Sequence, residues 1–153
     1  MGALCAVVFG MVAGMRSMVA PCAVSWAVWA GTLDVSQTPL AFMGYKYTHI
    51  ILTLLAIGEL IVDKLPFTPS RKAAGPFIAR VVSGALCGAT IGAARHPLIL
   101  MAVLGAAGAV AGTLGGAALR AKLAPAFRKD LPAALVEDIL AIGLAVFCVQ
   151  ALR

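Results

Sequence analysis

Apolar residues fill this chain in six blocks, at about 2–14, 17–32, 47–64, 76–93, 97–119 and 131–151. Blocks of this length predict helices that cross or enter a lipid bilayer, where a full crossing takes about 20 residues. The first two blocks are short by that measure. They predict tilted spans, the two arms of a re-entrant hairpin, or one interrupted helix. The joints between blocks are polar: Asp34 to Gln37 with Pro39, then Lys64 to Gly75, then Arg120 to Asp130. Pro66, Pro69, Pro76, Pro125 and Pro132 punctuate the last two joints, at helix starts or beyond helix ends.

Composition turns the pattern into a class. Of 153 residues, 62% are hydrophobic and 12% charged, with mean hydropathy +1.02. A soluble domain carries about 25% charged residues, so this chain reads as an integral membrane protein. The 16 glycines fit, since membrane helices hold more glycine than soluble ones. The length suits a single membrane domain over residues 1–153. With no polar domain behind the first block, a cleaved signal peptide is not expected.

The net charge of +6 would suggest nucleic acid in a soluble chain. Here the basic residues gather in two connections: Lys64, Arg71, Lys72 and Arg80, then Arg120, Lys122, Arg128 and Lys129. They read as positive-inside loops with some attraction to anionic lipid, so the expected partners are membrane lipids and not nucleic acid. Cys5, Cys22, Cys87 and Cys148 lie singly in apolar runs and read as buried, inert thiols.

Self-comparison finds a repeat. "VVFGMVAG" at Val7–Gly14 matches "VVSGALCG" at Val81–Gly88 in both valines and both glycines. Arg16 and Pro21 follow the first; Arg95 and Pro97 follow the second. "LAIG" at Leu55–Gly58 recurs at Leu140–Gly143. These matches predict two repeats, about 2–64 and 76–151, joined by a cytoplasmic linker at about 65–75. Three segments per repeat, an odd number, insert the halves in opposite orientation. The two basic connections then share the cytoplasmic side, and the Asp34 loop and C-terminus face outward.

Glycines spaced by four, at Gly10/Gly14, Gly84/Gly88/Gly92 and Gly108/Gly112/Gly116, predict a glycine-zipper type of close packing inside the monomer or across a homodimer.

Charge inside an apolar block costs about 2.5–3.5 kcal/mol per residue on insertion scales, so it points to a cavity or a partner. Glu59 and Asp63, four apart in "GELIVDKLP", share a helix face. Glu137 and Asp138 lie inside the last block. Asp63 follows Gly58 by five residues and Asp138 precedes Gly143 by five. On antiparallel helices this places both aspartates about 7.5 Å toward the same side. Four converging carboxylates suit a cation or proton site, because crowded like charges in a poorly hydrated place favour protonation. The other reading is a buried network, neutralised by Arg16, Arg80 or Lys64, that fixes helix register. Neither His49 nor His96 has ligand spacing to a carboxylate; both read as interfacial, and no metal is expected.

In "GMRSMVAP", glycine, arginine and proline end a short apolar block, which describes the tip of a broken helix. Arg95 with Pro97 marks the equivalent tip in the second repeat. Two such tips could grip one anionic group from both sides, bidentately for phosphate or carboxylate. The plainer alternative is that each arginine ends a helix at the water interface.

"GMRSMVAP", "GELIVDKLPFTPSR", "ARVVSGAL" and "LVEDILAIGL" together resemble the small bacterial membrane proteins grouped as domain of unknown function 4126. The likeness spans most of the chain and rests chiefly on Glu59, Asp63, Lys64 and Pro66 with Glu137 and Asp138. It implies a shared membrane fold and shared carboxylates, and supplies no activity.

The fold expected is an all-α integral membrane protein, a compact glycine-rich helix bundle of two inverted-topology three-segment repeats with short or re-entrant first helices. The function expected is a small multi-pass transporter in the bacterial inner membrane. It would be proton- or cation-coupled and carry an unidentified anionic or lipid-like small solute. Glu59, Asp63, Glu137 and Asp138 would take the ion, and Arg16 and Arg95 the solute. The alternative is a non-transporting structural or assembly protein with internally paired charges. No enzyme is expected, because Ser17, Ser25 and Ser83 have no base at informative spacing. No cofactor is expected either.

Overall fold

The computed structural model describes residues 1–63, 74–95, 97–127 and 130–153, the side chains of 123–127 and 130–131 excepted. Six α-helices form among them: α1 Gly2–Met15, α2 Val19–Trp29, α3 Thr48–Val62, α4 Ala74–Arg95, α5 Leu98–Phe127 and α6 Asp130–Ala151. One 3-10 turn, Ala41–Gly44, lies between α2 and α3, and the described residues contain no strand. Of the linker expected at about 65–75, residues 65–73 lie outside the described residues, as do Lys64, His96, Arg128 and Lys129, while Ala74 and Gly75 open α4.

Three helices are long and apolar enough to cross a membrane: Ala74–Arg95, Leu98–Lys122 and Pro132–Ala151. The first three helices, of 14, 11 and 15 residues, are shorter. Pro21, Pro76 and Pro132 each stand third in their helix, in the first turn, where a missing N–H leaves no bond unmade. One joint is corrected. α5 runs past Arg120 and through Pro125 to Phe127, because "AALRAKLA" is made of strong helix formers and a single proline removes only one ladder bond.

Close backbone contacts fix the helix directions. Gly10 and Gly14 of α1 abut Gly105 and then Ala109 to Thr113 of α5, so these two run parallel. Gly84, Gly88 and Gly92 of α4 meet Gly105, then Met101, then Leu98, so α4 opposes α5. The Ser17 carbonyl accepts from Ser83 and the Thr32 carbonyl from Arg95, so α2 runs with α4. Ser17 meets Glu59 while Trp26 meets Thr53, so α3 opposes α2. Arg16 meets Asp138 while Cys5 meets Cys148, so α6 opposes α1.

These directions define an upper end, with Trp29, Asp34, Arg95 and Ala151, and a lower end, with Ala74 and Phe127. α1 descends from the upper end and α2 climbs back to it, so the two make a hairpin with its tip at Arg16, Ser17 and Met18. α3 descends to the level of that tip. The lower part of the bundle is built from α4, α5 and α6.

Gly105 stands where α1, α4 and α5 all meet closely. A Cβ there would collide with the Gly84 carbonyl, and one at Gly10 or Gly84 would collide with the Gly105 carbonyl. With no hydrophobic drive between helices in lipid, such close approach supplies the packing that holds α1, α4 and α5 together. Gly58 and Gly143 of the two LAIG motifs face open space. Above the tip, Phe9, Val12, Ala20, Val24, Ile91 and Ala141 form a core with no exposed surface.

Candidate functional site

The site is the hairpin tip and what surrounds it. α1 stops because Arg16 turns extended, at φ −138° and ψ 107°, while its N–H still donates to Val12 at 2.7 Å. A broken helix leaves orphan backbone groups, and in a low-dielectric interior each must find a partner. Thr113 Oγ1 of α5 donates to the Gly14 carbonyl at 3.2 Å, and Ser83 Oγ of α4 donates to the Ser17 carbonyl. Glu59 of α3 takes the donors at the start of α2. Its Oε1 accepts from the Ser17 N–H at 2.7 Å and the Ser17 hydroxyl at 2.5 Å, and its Oε2 accepts from the Met18 N–H at 2.8 Å. A carboxylate is the group that the positive end of a helix dipole favours.

α2 ends as cleanly as it begins. Gly31, at φ +76°, closes it with bonds from its own N–H to Val28 and from Thr32 to Ala27, a Schellman arrangement that only a residue tolerant of positive φ completes without strain.

The Arg16 side chain has no exposed surface. Its Nε donates to Asp138 Oδ1 at 2.6 Å, Nη2 lies 2.5 Å from the same oxygen, and Nη1 donates to Asp63 Oδ2. One guanidinium thus bridges α3 and α6. The Asp63 side chain keeps 14% of its surface exposed and that of Asp138 keeps 8%. Glu137, next to Asp138, is 1% exposed, and Arg80, one turn from Ser83 on α4, is also buried. At this level the described residues present four carboxylates and two guanidinium groups, a formal excess of negative charge.

Arg95 is elsewhere. It is exposed at the upper end of α4, and its Nη2 donates to the Thr32 carbonyl at 3.1 Å. The length of α2, about 17 Å, separates it from Arg16, so the expected joint grip on one anion is corrected. The reason is that α4 continues for 22 residues to the upper end where α1 breaks off below. His49, expected at an interface, is 4% exposed and lies between Trp26 and Trp29, at centroid distances of 4.5 and 4.8 Å.

Ser83, Thr113 and Gly105 are the residues that sequence reasoning missed. Ser83 stands in "VVSGALCG" where the first repeat has Phe9, and that mismatch is the one available signal. Among the described residues, no group of three or more His, Cys, Asp or Glu side chains could hold a metal ion.

A helical bundle with three membrane-length apolar helices and a buried charge centre defines a protein of membrane type. The chain belongs to the family described as Domain of unknown function (DUF4126), whose model matches residues 3–151. Comparison with curated proteins finds no match, and comparison with solved structures finds none.

Proposed function

We propose that the chain is a small membrane carrier in which a proton or cation competes with Arg16 for Asp63 and Asp138. The observation that carries this reading is a fully buried arginine held by two carboxylates at the tip of a broken helix pair. Neutralising either aspartate loosens one clamp on the guanidinium, which then has donors for an anionic or lipid-like solute. That links ion and solute at one atom group. The excess of carboxylates over guanidinium groups among the described residues supports the ion's part, and the partial exposure of Asp63 supports its entry.

The same reading takes the chain as two inverted three-helix repeats, 2–64 and 76–151. In support, α1 opposes α4, α2 opposes α5 and α3 opposes α6 in direction. It also takes the lower end as cytoplasmic in a bacterial inner membrane, since Arg120 and Lys122 lie there and the basic connections lead into α4 and α6. On this reading the chain performs no covalent chemistry.

One observation favours the structural alternative. Glu59 is occupied by three donors of the α2 start, which is a capping role complete in itself.

Proton uptake by the purified protein, wild type beside Asp63→Asn and Asp138→Asn, tests the proposal. The expected result is uptake that the variants lose, with solute-dependent proton movement in vesicles. Equal uptake by all three proteins means that these carboxylates do not take the ion, and the structural alternative then stands.

A further inference from the structure

The upper end of the bundle carries an unusual set of surfaces. Trp26, Trp29, Phe42, Tyr45 and Tyr47 are all exposed there, and Phe147 is exposed one turn before the end of α6. These are all the aromatic side chains that are exposed among the described residues. They are also ordered. The Trp26 and Trp29 rings meet edge to face at 5.4 Å with His49 wedged against both, and the Trp26 indole N–H is satisfied by Thr53 Oγ1 at 3.0 Å. Lys46 Nζ sits 5.6 Å over the Tyr47 ring. Arg95 adds a second cation at this level.

Tryptophan and tyrosine rings, each with an apolar body and a polar edge, next to cations, fit a layer that is greasy below and phosphate-rich above. Helix lengths supply an independent measure. The hydrocarbon layer of a bilayer is about 30 Å thick. Descending α4 from Arg95 to Ala74 covers 22 residues, about 33 Å. Descending α5 from Leu98 to Arg120 covers about 33 Å as well, and Lys122 follows within a turn. Aromatic residues at one end and the first basic residues at the other are thus one bilayer apart.

We infer that the upper end, through Trp26, Trp29, Phe42, Tyr45 and Tyr47, seats in the phospholipid headgroup layer of one leaflet. The hairpin α1–α2 then enters the bilayer from that leaflet and stops inside it. From Arg95 down to Ser83, which bonds the tip, is 12 residues of α4, about 18 Å. Arg16 and its carboxylates therefore sit past the bilayer midplane, nearer the basic side. This placement stands without the transport proposal, since a purely structural protein would seat in the same way.

Trp26 and Trp29 are the chain's two tryptophans, so its intrinsic fluorescence reports on this surface alone. The full chain is reconstituted in phosphatidylcholine–phosphatidylglycerol vesicles whose acyl chains carry bromine either near the headgroup or near the terminal methyl. The expected result is stronger quenching by the shallow bromines. Trp26→Phe and Trp29→Phe, which leave one reporter each, should both read shallow. Stronger quenching by the deep bromines would put this end at the bilayer centre and overturn the inference. Indifference to both bromines, with quenching by aqueous iodide, would put it in water and overturn it equally.

Discussion

Arg16 and Asp138 stand 122 residues apart in the chain and 2.6 Å apart in space, Nε to Oδ1. With Asp63 on the far side of the guanidinium, this pair joins the first, third and last helices at a single cation. Removing that cation takes from both carboxylates the positive partner they share.

Arg16→Met is therefore expected to destabilise the protein by about 3–5 kcal/mol, the cost of breaking a buried ion pair by removing one partner. Thermal unfolding in detergent measures it. The triple change Arg16→Met, Asp63→Asn, Asp138→Asn removes the imbalance and should recover most of the loss. A triple variant as unstable as Arg16→Met would mean that packing, and not charge, is what Arg16 supplies.

Glu59→Gln keeps the shape of the cap and removes its charge, and it turns an amide NH₂ toward N–H donors. A loss of about 1–2 kcal/mol is expected from the weakened dipole and hydrogen bonds. Ser17→Ala removes one donor from the same carboxylate, and a loss of about 1 kcal/mol should follow. Unfolding midpoints of the two variants rank these effects.

Gly105→Ala places a methyl on the Gly84 carbonyl and should cost about 1–3 kcal/mol through forced separation of α4 and α5. Gly143→Ala, facing open space, is the control. It should be neutral, or stabilising by up to about 1 kcal/mol through helix propensity. Equal effects at both sites would show that the α4–α5 crossing tolerates a side chain.

Asp34, in the loop after α2, accepts from the Ser36 hydroxyl and N–H at 2.7 and 3.0 Å, and these bonds hold its carboxyl below the usual range. A carboxylate depressed in the folded state adds stability above its unfolded value and loses it as pH falls through the folded one. Ser36→Ala should therefore raise the Asp34 titration toward the ordinary aspartate value, read by the side-chain carboxyl carbon in NMR. Variant and wild type should converge in stability at pH values below both. An unchanged titration would mean that the Ser36 hydroxyl bond does not form in solution.

Six apolar blocks foretell six helices, because hydropathy is the strongest signal a membrane chain carries. The end of α5 was hidden for a local reason: "ALRAKLAPAF" mixes charge and proline in a stretch whose other residues favour helix. The level at which Asp63 and Asp138 meet follows from their spacing to Gly58 and Gly143, since rise per residue is fixed. Which cation they share does not, because that depends on the rotation of each helix about its axis. Ser83 and Thr113 were opaque for the same reason: a hydroxyl becomes a cap only when its helix face is known. Gly105 escaped the period-four pattern because it stands three residues before Gly108, at a position that contacts both α1 and α4. The likeness between the Arg16 and Arg95 motifs misled because helix length, not motif, decides where a tip falls.

The hairpin tip has a consequence for how the chain is made. Its loose ends are closed by Glu59, Ser83, Thr113 and Asp138, each from a helix synthesised later. When α1 and α2 leave the ribosome, their bare carbonyls and unpaired arginine have nothing to bind within the lipid. The hairpin is thus translated before its partners and settles after them. The hairpin must wait, beside the insertion machinery or at the membrane surface, until the final helix brings Asp138 alongside. A stop codon before α6 would leave a chain whose hairpin has no finished place to go, which makes α6 the natural checkpoint of assembly.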